Sequence, residues 1–133
     1  MRIAITCKQL IRDFDQVEGA FTEAGVEVVL ADIHGQYLEG EALVEALEGC
    51  TGVIAGDDQF SRYVLDQSPQ LRVIAKWGIG IDGIDADSAS ERGIAVRNTL
   101  GMFNDEVADL TMAYIVDVHR HLAAIHRGVR AGE

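Results

Sequence analysis

The residues Trp77-Gly78-Ile79-Gly80-Ile81-Asp82 end an apolar run with two glycines spaced two apart. Lacking a Cβ, glycine lets the backbone bend sharply and lets a ligand come close to the main chain. Successive N–H groups at Ile79 and Gly80 could then point at an anion, and a helix starting at Asp85 adds a weak positive pole nearby. The same residues also suit a plain strand-to-helix turn with no ligand, and spacing alone leaves both readings open. They do not form a dinucleotide fingerprint, which needs its glycines after the first strand of a unit and an acidic residue at the end of the next. A second glycine-bearing loop, TLGMFN at 99–104, ends in Asn104, a good N-cap, with Asp105 and Glu106 suited to the first turn beyond it. Two such loops after neighbouring strands would face one crevice.

Other reactive residue types carry less. Asp57-Asp58 is an acidic pair of the kind that holds Mg²⁺, but a receiver-type pair belongs after the first strand, where this chain has Thr6-Cys7-Lys8; a solvated loop is the expectation. His34, His119, His121 and His126 show no ligand spacing with an acidic partner, and no metal is expected. Cys7 and Cys50 match no metal spacing and read as reduced thiols of a cytoplasmic protein. There is no nucleophile elbow, P-loop or Cys/His pairing.

The elements that must position these loops alternate along the chain. Apolar, β-branched runs predict strands at 2–6, 26–31, 52–56, 71–77 and 94–98, and helical spacing predicts helices at 16–24, 41–48, 60–67 and 85–92. Gly25, Gly49, Pro69 and Gly93 punctuate the helices, and Asp85 is placed to cap the one at 85–92. A long helix is expected from about 104 towards 127, apolar on more sides than one sheet can cover. Five strands alternating with helices imply an α/β fold: a flavodoxin-like parallel sheet of order 2-1-3-4-5, with helices on both faces. Ligands in such sheets sit beyond the carboxyl ends of the strands, so the loops at 7–15, 32–40, 56–60, 78–85 and 99–104 matter most.

Composition narrows the partners. The chain has 133 residues, 48% of them apolar and 25% charged, which suits an ordered globular domain. A formal charge of −11 argues against nucleic acid and against anionic membranes. The best membrane candidate, 107–118, contains Asp109 and Asp117.

The stretch LRVIAKWGIGIDGIDADSASERGIAVRNTLGMFNDEVADLTMAYIV (71–116), followed by RGVRAGE at 127–133, resembles the D-isomer-specific 2-hydroxyacid dehydrogenases, especially phosphoglycerate-dehydrogenase-like members. The likeness covers a strand, a GxGxD turn, a helix, a strand, an NTPG-type loop and a VAD helix; the first 70 residues agree in pattern only. It implies a substrate-binding lobe at 1–103 and a long interdomain helix with its junction at 104–133. It also implies that a Rossmann lobe binding NAD or NADP lies outside this chain. In the family the amides of the GxG turn hold the substrate carboxylate, which maps to Gly78, Ile79 and Gly80, and the loop before the long helix lines the cofactor cleft, which maps to Asn104. Leu100 stands where many members have proline, and Phe103 where many have asparagine. The family's catalytic arginine, glutamate and histidine belong to the other lobe, so no catalytic residue is expected here. The implied reaction interconverts a small 2-hydroxy acid and a 2-oxo acid, with the isolated chain inactive; the apolar sides of the long helix call separately for a second domain or a second copy of the chain to cover them. The rival reading is a stand-alone flavodoxin-like module that binds a small anion without chemistry.

Overall fold

The computed structural model describes all residues from Met1 to Glu133. Residues Met1–Leu100 form one compact unit and Gly101–Glu133 another. The first unit is built on β1 (Arg2–Ile5), β2 (Glu27–Leu30), β3 (Gly52–Ala55), β4 (Val73–Lys76) and β5 (Ala95–Arg97). They form one sheet in the order β2-β1-β3-β4-β5, with every neighbouring pair parallel. This is the flavodoxin-like arrangement expected from the alternation of elements.

Side-chain alternation assigns the two faces. Ala4, Val53, Ala55 and Ile74 pack with Leu43 of α3 (Gly40–Ala46), Val64 and Leu65 of α4 (Arg62–Gln67), and Ala89 of α5 (Ala86–Glu91). On the opposite face Ile5, Val28 and Ile54 meet Leu10 and Ile11 of α1 (Lys8–Arg12) and Phe21 of α2 (Glu18–Glu23). Phe60, Leu43, Leu47, Leu65, Leu71 and Ile74 are wholly buried, each contributing about 1.5–3 kcal/mol relative to exposure. Cys7 and Cys50 are buried free thiols, and burial pushes the Cys50 thiol up.

Two local expectations fail. The segment 7–15 reads as a loop in the sequence, yet after a link of Thr6 and Cys7 α1 starts at Lys8, and a short 3-10 turn follows at Phe14–Gln16. The apolar positions Leu10, Ile11, Phe14 and Val17 have helical spacing, and Phe14 stacks on Phe21 with centroids 5.7 Å apart, so packing on the sheet organises a stretch that lacks a capping signal.

The second failure is in the Gly101–Glu133 unit. In place of one continuous helix, α6 (Asn104–Arg120) and α7 (Leu122–Ala131) are separated at His121, a left-handed residue at φ 55°. The Asp117 carboxylate accepts from the Ala123 N–H at 2.7 Å, serving an amide that the break frees. Asn104 is the first helical residue and not the cap: the Phe103 carbonyl already accepts the first helical bond, from Val107 N–H at 3.1 Å. No helix of the chain is long and apolar enough to cross a membrane.

Candidate active site

The turn that opened the sequence lies at the carboxyl end of β4. Gly78 adopts φ 133°, a conformation that L side chains rarely take, so the first glycine is required by the backbone itself. Gly80 has no positive φ; a Cβ there would meet only the Asp82 carboxylate, at 3.2 Å. The two glycines therefore serve different ends: Gly78 makes the bend and Gly80 leaves space.

The turn is held by its carbonyls. Thr99 N–H donates to the Gly78 carbonyl at 3.1 Å, and Asn98 Nδ2 donates to the Ile79 carbonyl at 2.6 Å. From Gly78 to Gly83 no backbone N–H finds a partner within the chain. Pinned carbonyls and free amides leave the donors of Ile79 and Gly80 pointing away from the anchoring strand loop, as an anion site needs. Ile79 is 52% exposed. Asn98 carries no role in the sequence reading; its position just past β5 was the available signal.

From below, the turn rests on the loop after β3. Gly83 approaches the Asp58 carbonyl so closely that a Cβ would sit 2.7 Å from it. Phe60 N–H donates to the Gly83 carbonyl at 2.7 Å, and Asp85 N–H to the Phe60 carbonyl at 3.0 Å. Asp85 then caps α5: its Oδ1 accepts from Ser88 N–H at 2.9 Å and its Oδ2 from Ser88 Oγ at 2.7 Å. Those two bonds, the hydroxyl first, hold its carboxyl below the usual aspartate range.

The expectation of a solvated Asp57-Asp58 loop holds for Asp57 alone. Asp58 is 2% exposed and accepts three hydrogen bonds from three segments: Thr6 Oγ1 at 2.5 Å, Leu38 N–H at 2.8 Å and Gly56 N–H at 3.1 Å. Nothing in the residue order hints at this, because a buried aspartate and a solvated one look alike until their donors are placed.

A cavity of about 380 Å³ opens over the turn, lined by Gly78, Ile79 and Gly80 together with Asp57, Lys76, Trp77 and Asp82 among others. An adjoining one of about 520 Å³, lined by Cys7, Lys8, Gln9, Gln36 and Gly56, shares Asp57 and Trp77 with it. Lys76 Nζ donates to Asp57 Oδ1 at 3.0 Å and to the Trp77 carbonyl at 3.2 Å. The lysine side chain is only 11% exposed, whereas Asp57 is 72% exposed, so the pair itself is worth no more than about 0–1 kcal/mol. Lys8 donates to the Gly35 carbonyl across the second cavity. Of the sequence-derived candidates, Gly78, Ile79 and Gly80 line this cleft, and Asn104 belongs to the Gly101–Glu133 unit. No group of three or more His, Cys, Asp or Glu side chains comes together in a metal-like cluster.

A doubly wound parallel sheet with a cleft at its carboxyl edge defines a class of ligand-binding α/β domains. The particular family is given by comparison: residues 7–127 match the pattern of the D-isomer specific 2-hydroxyacid dehydrogenase catalytic domain, and the chain belongs to that family. It is 38% identical over 76 residues to a glyoxylate reductase of Thermococcus litoralis, covering 57% of this chain and 23% of that protein. It is 32% identical over 91 residues to glyoxylate/hydroxypyruvate reductase B of Yersinia enterocolitica, covering 68% of this chain and 28% of the relative. The crystal structure of the TT0316 protein from Thermus thermophilus superposes with a TM-score of 0.74 at 33% identity, over 99% of this chain and 41% of that one. The chain thus spans about a quarter of the length of the curated relatives it matches.

Proposed function

We propose that this chain is the substrate-binding lobe of an NAD(P)-dependent oxidoreductase that interconverts a small 2-hydroxy acid and the corresponding 2-oxo acid. The observation that carries the reading is the row of unpartnered amides at Ile79 and Gly80, in a turn whose carbonyls are tied back to Asn98 and Thr99. Such amides bind a carboxylate by charge-assisted hydrogen bonds and hold the 2-carbon at a fixed height above the sheet edge. The names of the relatives above favour a glyoxylate- or hydroxypyruvate-sized acid; a phosphoglycerate-type acid, suggested by the sequence resemblance, is the next to test.

The residues of this chain do not fit a dinucleotide. The turn after β1 is Thr6-Cys7-Lys8, with no glycine to admit a pyrophosphate, and the GxG turn follows the fourth strand. In this reading the nicotinamide, which supplies or accepts the hydride, is held by a second lobe. That lobe also carries the acid–base group, and Asn104 faces the cofactor. A second copy of the chain packs on the exposed apolar residues of α6 and α7, and the setting is cytoplasmic.

The test compares the 133-residue chain with the same chain joined to a nucleotide-binding lobe, following NADH absorbance with glyoxylate, hydroxypyruvate and phosphohydroxypyruvate. The chain alone should be inert and the two-lobed protein active. In the active protein Gly80→Val, which adds a branched side chain to the turn beside the Asp82 carboxylate, should lower kcat/KM by roughly ten- to a hundred-fold, the value of a lost charge-assisted bond of about 1.5–3 kcal/mol. A folded Gly80→Val enzyme with unchanged kcat/KM would show that the turn is only a turn. Turnover by the purified chain alone would refute the two-lobe reading.

A further inference from the structure

We propose that Lys76 is a second anchor for the substrate's carboxylate, occupied by the Asp57 side chain until an acid enters the cleft. The proposal rests on the reading of the Ile79–Gly80 amides as a carboxylate site and adds the residue that makes that site attractive to an anion.

The cleft needs such a residue. The chain carries a net charge of −11, and the cavity over the turn is lined by Asp57, Asp58 and Asp82 with Lys76 as its one cation. Asp82 lies close to Gly80, its carboxylate 3.2 Å from where a Cβ would stand. Neutral amides set among three carboxylates would meet an incoming acid with net repulsion, and a nearby ammonium reverses that locally.

The position of Lys76 fits the task. Its ammonium is tied to the carbonyl of Trp77, the residue before the turn, and lies 3.5 Å from the point where a Cβ on Gly78 would be. Lys76 and the Ile79–Gly80 turn line the same cavity. An ammonium has three N–H donors, and the structure uses two, on Asp57 and on Trp77.

The two members of the ion pair are unequal. Lys76 is packed in and stays where it is, while Asp57 is 72% exposed and can turn into water at little cost. Asp57 thus acts as an internal competitor: it keeps the half-covered ammonium paired and yields it to the substrate. Removing the lysine and removing the aspartate should then have opposite effects on anion binding, which a merely structural ion pair would not produce.

The experiment titrates the 133-residue chain with sodium oxamate, an unreactive 2-oxo acid analogue, at constant ionic strength. The readout is the set of ¹⁵N amide shifts of Ile79 and Gly80, after near-native melting has been confirmed for each variant. Lys76→Met should weaken binding at least about five-fold, Lys76→Arg should stay within about two-fold of wild type, and Asp57→Asn should tighten it roughly two- to five-fold. Lys76→Met and Asp57→Asn moving the affinity in the same direction, or Lys76→Met leaving it unchanged while wild type binds at the turn, would overturn the proposal. If Lys76→Met does not fold, failure of Asp57→Asn to tighten binding overturns it alone. Wild-type chain showing no saturable shift at Ile79 and Gly80 would overturn the carboxylate-turn reading itself, a result distinct from the variants' failure.

Discussion

Asp58 offers the most direct test of how the cleft is built. Its carboxylate joins the end of β1 through Thr6, the approach to α3 through Leu38 and the end of β3 through Gly56, all from a position 2% exposed. Asp58→Ala removes the only partner of the Leu38 and Gly56 N–H groups; the Thr6 hydroxyl keeps a long contact to the Ile54 carbonyl at 3.4 Å. A buried donor left without an acceptor costs about 1–3 kcal/mol. With two amides stranded and one hydroxyl weakened, the loss should be about 3–4 kcal/mol, a large share of the ~5–15 kcal/mol available to a domain. For the Met1–Leu100 unit that is a fall in Tm of about 14–19 °C. Asp58→Asn is the sharper probe, because all three partners are donors. Its amide nitrogen must face at least one of them, so the nearly isosteric change should still cost about 1–3 kcal/mol. Urea denaturation of both variants, with Thr6→Val and the double variant Thr6→Val/Asp58→Ala to isolate the coupling, measures these quantities. If Asp58→Ala and Asp58→Asn both unfold within about 0.5 kcal/mol of wild type, the range of a neutral surface change, the three hydrogen bonds do not hold the cleft together.

Three further outcomes are expected. Asp85 has its carboxyl lowered by the Ser88 hydroxyl and amide, so its contribution is fully present above the unfolded value near ~4 and is lost as pH falls through the lower folded value; Asp85→Asn should flatten the acid limb of a Tm-against-pH curve, and an unchanged limb would show that the cap carries no linkage. His121→Gly should stabilise the break between α6 and α7 by up to about 1 kcal/mol and His121→Val should destabilise it by about 1–2 kcal/mol, since a left-handed φ of 55° suits glycine and opposes a β-branched residue; thermal melting by circular dichroism decides, and equal effects would refute the strain argument. Val107, Leu110, Val118, Ile125 and Val129 are each more than half exposed, so the chain should associate with concentration in sedimentation experiments, and a monomer at all concentrations that binds no hydrophobic dye would mean these side chains seek no partner.

The sheet was legible in the sequence because its information is local. Strands buried on both faces are continuous β-branched runs, the punctuating glycines and proline mark their ends, and five such runs alternating with helical spacing leave few topologies open. The Gly78–Gly80 turn was legible for the same reason, as glycines at a strand end mean a special backbone wherever they occur. The misses share the opposite character. The α1 helix forms because Leu10 and Phe14 find Ile5 on the sheet and Phe21 on α2, and the break at His121 is a backbone state that nothing in His-Arg-His-Leu announces. The division of labour within the GxG turn, with strain at the first glycine and space at the second, required dihedral angles. Above all, the Asp57-Asp58 pair splits into one solvated and one buried carboxylate. The chain order places both after β3, but only the folded arrangement brings Thr6 from 52 residues away and Leu38 from 20 to one carboxylate, and it turns the other towards Lys76. Hydrophobic period is written in neighbouring residues, whereas the pairing of buried polar groups depends on which distant segments the fold brings together, and so it is decided by the tertiary structure.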